Sequence, residues 1–354
     1  MSTDKARNGH MSAAILYGVE DLKIETVDVP KIEDDEVLVR VKVALTCGTD
    51  LKVWKRGYHA RMIQPPAPFG HELAGIVEET GKRVNGGVRK GMRVFPANSA
   101  PCNVCFYCKK GQPNLCEDLL FNNGAYAEFI RIPGRIVRQN MLEIPDGVSF
   151  ADAAMAEPLA CVLRGIYETG IKAGDTVVVI GCGAIGLKFI RILAQRKVRV
   201  IAIGKRKSQM DIARRLGATA AFDVAAVENP VAAVRQLTEG ARGADAVIEA
   251  VGRAQTWEWA LQIVRKGGTV NLFGGCPSGT EVKIDPAALH YAEITIKSTF
   301  HHTPLFIRDA LDTIARGEIR ASDFVTGEVH LEELPQVFLD MKNRNGELKT
   351  AVIP

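Results

Sequence analysis

A β-branched run, Thr176-Val177-Val178-Val179-Ile180, passes directly into Gly181-Cys182-Gly183-Ala184-Ile185-Gly186, and apolar residues then recur at helical spacing over residues 187–195. Few features restrict the possible folds so far. An uninterrupted apolar strand is one buried on both faces, which in practice means a parallel sheet covered by helices. In that context Gly-x-Gly-x-x-Gly reads as a dinucleotide fingerprint. The first glycine permits the tight turn, the second lets a pyrophosphate approach the backbone, and the third lets helix and strand pack closely, with the phosphates at the helix N-terminus. Residues 198–203 read as a second buried strand, 208–216 as a helix opened by a capping serine, and 244–248 and 269–273 as further strands. Strands alternating with helices predict an α/β, doubly wound parallel sheet.

The end of the second strand bears on which dinucleotide binds. An acidic residue about 20 positions beyond the glycines would accept from the ribose 2′-hydroxyl of NAD. Residues 187–210 contain no Asp or Glu, and the strand ends Ile203-Gly204-Lys205-Arg206-Lys207. Glycine removes the repulsion to a 2′-phosphate and the cations supply donors for it. A solvated basic turn is the plainer reading of such a run. Its position favours NADP, with Gly204, Lys205 and Arg206 among the contacts.

The rest of the chain differs in character. Residues 22–27, the alternating Val37, Val39, Val41 and Val43, then Ile76-Val77-Glu78 and Arg93-Val94-Phe95, are punctuated by Pro30, Gly70, Gly81, Gly86-Gly87 and Gly91. Residues 13–146 therefore read as mainly β. The length, 354 residues, suits two domains. A tail from residue 300 holds a helix (305–315), a strand (325–331) and a helix (334–342), and periodicity leaves open which domain it joins. Residues 1–11 are expected to be disordered. The polar start lacks a signal-peptide core and no run approaches a membrane span, so a cytoplasmic protein without membrane contact is expected. With 45 basic against 41 acidic residues the formal charge is +4, which argues against nucleic-acid partners and for small molecules.

A reducing compartment makes disulfides poor candidates for the eight cysteines. Four of them, Cys102, Cys105, Cys108 and Cys116, follow the pattern C-x2-C-x2-C-x7-C. That spacing lets four thiolates converge on one ion. An iron–sulfur cluster of the bacterial type would close with three intervening residues and then proline, so structural zinc is the better match. A second set is dispersed: Cys47, His71-Glu72 and Glu157. Singly these read as a buried cysteine, a satisfied histidine and solvated carboxylates. Together, one thiolate, one imidazole and a carboxylate leave the open position that a catalytic zinc requires.

In their order, Cys47-Gly48-Thr49-Asp50, Gly70-His71-Glu72, the four-cysteine lobe, Glu157-Pro158-Leu159 and the glycine fingerprint resemble the zinc-dependent medium-chain dehydrogenase/reductase family, the alcohol and polyol dehydrogenases. The similarity spans residues 13–354. It implies a GroES-like β-rich catalytic domain (residues 12–158, with the structural zinc lobe about 98–118), a Rossmann domain (159–298) and a return of residues 299–354 to the catalytic domain. It also implies two zinc ions per chain. The catalytic one would be held by Cys47 and His71, with Glu157 at the third-ligand position and Glu72 ligating directly or exchanging with water. Glu157, where many alcohol dehydrogenases carry cysteine, resembles the sorbitol dehydrogenase branch and favours a polyol or secondary alcohol and its ketone.

By the same resemblance Thr49 contacts the substrate oxygen and relays its proton, Ile185, Phe273 and Phe300 lie among the cofactor contacts, and His301 meets substrate hydroxyls unless it is an ordinary surface histidine. A homodimer or homotetramer is implied. Lys52 stands where many members have a proton-relay histidine, and a solvated lysine exchanges protons poorly near neutrality. Two rival readings remain: a biosynthetic NADPH-dependent aldehyde or ketone reductase, and a nucleotide-binding sensor without turnover.

Overall fold

The computed structural model describes residues 9–59, 61–343, 345 and 347–354. The chain divides into two compact units, one running to Ala160 and resuming at His302–Pro354, the other Cys161–His301.

The second unit is built on a six-stranded sheet in the spatial order Ala220–Asp223, Arg199–Gly204, Thr176–Ile180, Ala244–Glu249, Val264–Leu272, Thr295–Lys297. Every adjacent pair is parallel. The first strand in sequence thus lies between the second and the fourth, the doubly wound arrangement that opens a ligand crevice at the strands' carboxyl ends. Val178, Ile180, Ile201, Ile203, Val247 and Val270 form its core, and each is at most 1% exposed. Two local expectations fail here. The helix Lys207–Arg215 is preceded by Arg206 and has no side-chain cap, so Ser208 lies inside its first turn. The fifth strand starts at Val264, ahead of the residues expected, because the register shift between the Ala244 and Ala246 pairings accommodates Gly267-Gly268 within it.

In the first unit the central strand is Val37–Leu45, paired antiparallel with Leu73–Thr80, Phe129–Ile132 and Thr350–Ile353. The alternating Val37, Val39 and Val41 enter the core of this unit. Ala351 and Val352 register against Leu45 and Ala44, and Gly327–His330 runs parallel to that last strand. The tail strands Gly327–His330 and Thr350–Ile353 thus belong to the sheet of this unit. Phe338, from the tail helix Leu334–Asn343, stacks among Trp54, Phe69 and Tyr126 at centroid distances of 5.7, 5.6 and 6.3 Å. The expectation of disorder over residues 1–11 is corrected in part: His10 and Met11 belong to the strand His10–Gly18, paired with Asp21–Asp28. Residues 1–8 lie outside the described residues. Among the described residues no helix is long and apolar enough to cross a membrane.

Candidate active site

Cys47 follows the central strand and N-caps the helix Gly48–Arg56, its Sγ accepting from the Thr49 amide at 3.4 Å. His71 follows Gly70, whose φ of +90° is left-handed and whose missing Cβ leaves room for the Tyr126 ring. A Cβ at Gly70 would lie 2.5 Å from that ring. The tyrosine so placed donates its hydroxyl to Asp50 Oδ2 at 2.6 Å, and Asp50 Oδ1 lies 2.7 Å from His71 Nδ1. A carboxylate occupied in this way assigns the proton to Nδ1 and leaves Nε2 as the ligating atom. Burial pushes the His71 imidazole down, but Asp50 more than offsets it and the net shift is well upward. Metal and proton therefore compete for this ring.

Glu72 is wholly buried. Its Oε2 pairs with Lys349 Nζ, which also donates to the Thr46 carbonyl at 2.6 Å, while Oε1 has no hydrogen-bond partner. An orphaned carboxylate oxygen is costly in the interior unless a cation meets it. The donor atoms of Cys47, His71 and Glu72 lie within 4.8 Å of one another. One sulfur, one nitrogen and one oxygen of this kind fit zinc.

Glu157 sits in the first turn of the helix Ala156–Thr169 and is 6% exposed, but it is not among the donors that lie within 4.8 Å of one another at Cys47, His71 and Glu72. Burial pushes its carboxyl up to about 7, with His71 pulling it down and Glu72 pushing it further up. Its Oε1 is 3.9 Å from His302 Nε2, which pairs with Asn98 Oδ1 at 2.9 Å. Thr49 is half-buried and Lys52 exposed. In the sequence nothing marks Lys349, Tyr126 or Asn98, and Asp50 and His302 have no role of their own there. None of these carries a local signal, since their partners are distant in the chain.

The four remaining ligand candidates also converge. Donor sulfurs of Cys102, Cys105, Cys108 and Cys116 lie within 4.8 Å of one another, around the short helices Phe106–Lys109 and Pro113–Leu115. Hydrogen bonds from the backbone of Cys108 and Glu117 lower the Cys105 thiol to about 6, whereas burial pushes Cys108 up to about 12. The set fits one tetrahedral ion with no position left for substrate.

In the second unit Gly181 has a φ of +107° and Gly186 packs so tightly that a Cβ there would overlap the Gly181 carbonyl oxygen. Gly183 caps the helix Ala184–Gln195, and nothing lies within 4 Å of where its Cβ would be. The helix start is thus open to a phosphate. Ile185 is half-buried in that first turn. Gly204 is buried at the end of its strand, followed by exposed Lys205 and Arg206. A Cβ at Gly204 would come within 3.1 Å of Cys182 Sγ. Phe273 packs edge-on against Phe189 at 5.0 Å, and Phe300, 44% exposed, lies 5.6 Å from the half-buried His301 ring.

Residues 33–146 match the alcohol dehydrogenase GroES-like domain and residues 184–316 the zinc-binding dehydrogenase domain. A probable D-xylulose reductase A from Aspergillus clavatus is 30% identical over 348 residues, covering 96% of this chain and 95% of its own. The crystal structure of a zinc-binding dehydrogenase from Sinorhizobium meliloti, bound to NADP, superposes with a TM-score of 0.87 at 31% identity, over 98% of this chain and 99% of that one. Alcohol dehydrogenase TADH from Thermus sp. ATN1 does so at 0.86 and 28%, over 97% and 99%. Fold, motifs and relatives agree: the chain belongs to the zinc-dependent medium-chain dehydrogenase/reductase family of alcohol and polyol dehydrogenases.

Proposed function

We propose that this protein is a cytoplasmic NADP-dependent dehydrogenase that interconverts a polyol or other secondary alcohol and its ketone. In this reading residues 12–158 and 299–354 form the catalytic domain, residues 159–298 bind the nucleotide, and the chains assemble as homodimers or homotetramers. Each chain holds one catalytic and one structural zinc. The observation that carries the cofactor assignment is the end of the second parallel strand, where buried Gly204 precedes a run of exposed cations. The NADP found in the Sinorhizobium relative agrees with it. The name of the Aspergillus relative, a reductase of a polyhydroxy ketone, supports the substrate class.

When bound, zinc supplies Lewis acidity toward the substrate oxygen and NADP supplies the hydride acceptor or donor. The residues that would hold the zinc are Cys47, His71, Glu72 and Glu157. Asp50, itself held by Tyr126, keeps the His71 ring in its ligating tautomer. Lys349 balances the charge of Glu72, and both side chains are buried from water. In this reading the half-buried Thr49 hydroxyl takes the substrate's proton, and exposed Lys52 is no substitute for a relay histidine.

The test is the ratio of kcat/KM for NADP over NAD in the wild type and in Lys205→Ala/Arg206→Ala. Loss of two charge-assisted contacts, at about 1.5–3 kcal/mol each, should lower that ratio on the order of 100-fold or more. A wild type that prefers NAD, or a ratio unmoved by the double variant, refutes the assignment. A panel of sugar alcohols, diols and simple ketones separates a polyol dehydrogenase from a reductase of less hydroxylated carbonyls.

A further inference from the structure

Arg164, on the helix Ala156–Thr169, is only 8% exposed. A guanidinium out of water must find acceptors for its donors. Its Nη1 donates to two successive backbone carbonyls, Phe300 O at 2.6 Å and His301 O at 2.9 Å. Nη2 lies 3.4 Å from Glu168 Oε1, one turn further along the helix, and Glu168 Oε2 in turn holds Lys297 Nζ at 2.6 Å. Successive carbonyls of an extended chain point to opposite sides, so two that converge on one nitrogen require a turned backbone. His301 supplies the turn with a φ of +66°. A residue with a Cβ keeps this left-handed conformation only where its surroundings enforce it, and such residues gather at functional segments.

The backbone held in this way presents two side chains, the part-exposed Phe300 ring and the His301 imidazole, tilted 30° to each other. We infer that Arg164 is a positioning residue for the reaction: by fixing the carbonyls of Phe300 and His301 it sets the direction in which those two side chains meet cofactor and substrate. The inference rests on the reading, carried by the family resemblance, that Phe300 meets the cofactor and His301 the substrate.

The test uses the full-length, metal-loaded enzyme. Arg164→Met, Arg164→Lys, Phe300→Ala, His301→Ala and Thr169→Val are compared by the Kd for NADPH, from its fluorescence, by KM and kcat for xylitol or the fastest polyol of the panel, and by Tm. Thr169 is on the same helix and accepts from Asn271 Nδ2 at 2.7 Å, so Thr169→Val reports what a purely structural loss does. Arg164→Met is expected to raise the NADPH Kd or the polyol KM on the order of 10- to 100-fold, the scale of a misplaced contact group. Arg164→Lys, which keeps the charge and can reach one carbonyl, should recover part of the loss. Thr169→Val should lower Tm while both constants stay within about twofold. Unchanged constants in Arg164→Met, or an equal rise in Thr169→Val, overturn the inference while effects in Phe300→Ala and His301→Ala leave the reading of that segment intact. No effect in Phe300→Ala and His301→Ala removes that reading and the inference with it.

Discussion

Replacing Lys349 by Met should damage the protein far more than the loss of an ordinary surface charge. Lys349 is 3% exposed and Glu72 0%, so neither charge can turn to water when the other is removed. Burial pushes the Lys349 ammonium down, yet Glu72 and Cys47 more than compensate and its net shift is upward, as for a cation that folding has paired. Removing one member of a buried pair costs about 3–5 kcal/mol, because the survivor is left uncompensated. The hydrogen bond to the Thr46 carbonyl goes as well, adding about 1 kcal/mol. At about 2–4 °C per kcal/mol for a body of this size, the unfolding midpoint of the unit that carries the pair should fall by roughly 8–24 °C. The assay is calorimetry on the zinc-depleted protein, in which no bound cation replaces Lys349 beside Glu72, with the cycle Lys349→Met, Glu72→Gln and the double variant. A double variant that recovers most of the loss is the expected sign of one coupled pair. A single-variant shift under about 2 °C, or no recovery in the double variant, refutes the reasoning.

Cys47→Ala should abolish turnover while NADPH binding and Tm hold, whereas Cys105→Ala should lower Tm and release one zinc per chain, because a closed metal site contributes its binding energy to folding. Equal damage to folding from both variants, read by metal analysis and calorimetry, would argue against two separate roles. Asp50→Asn should weaken zinc at the Cys47 site by about 10- to 100-fold, as expected when the group orienting a ligating histidine is lost; competition with a chelator measures it, and an unchanged affinity would refute it. Glu157 gives a pH dependence once zinc is chelated away. Its carboxyl is raised from 4.5 to about 7 in the folded chain, so between those values the folded form holds the proton that the unfolded form has lost. Stability should then fall as pH rises through that window, by about 3 kcal/mol in all. Urea midpoints at pH 5 and pH 7.5 should differ in the wild type and converge in Glu157→Gln, and an identical difference in both would refute the attribution.

What could be read from the sequence is what the chain settles within a few residues. The glycine fingerprint is of this kind, since the reason for Gly186 is the carbonyl of Gly181 five positions earlier. The four-cysteine lobe is another, because fifteen residues bring all four sulfurs together. The surroundings of the catalytic set are not. Lys349 is 277 residues from Glu72 and Tyr126 is 76 from Asp50, and neither has a periodic or motif signature, so only the folded sheet could pair them. The return of Thr350–Ile353 to the central strand was open for the same reason.

Gly204 lies between these cases and changes how the cofactor reading must be tested. In the sequence it is the missing acidic residue, a statement about the ribose. In the fold it also has a neighbour: a side chain there would press its Cβ to 3.1 Å from Cys182 Sγ and 3.3 Å from Cys182 Cβ, tight distances for a buried position. Gly204→Asp would thus alter charge and packing together, and a loss of NADP activity in that variant would not distinguish a repelled 2′-phosphate from a displaced glycine loop. Lys205 and Arg206 are exposed on the same turn. Their removal changes the charge offered to the cofactor without forcing a new atom against Cys182, so the specificity ratio measured there reports on the phosphate.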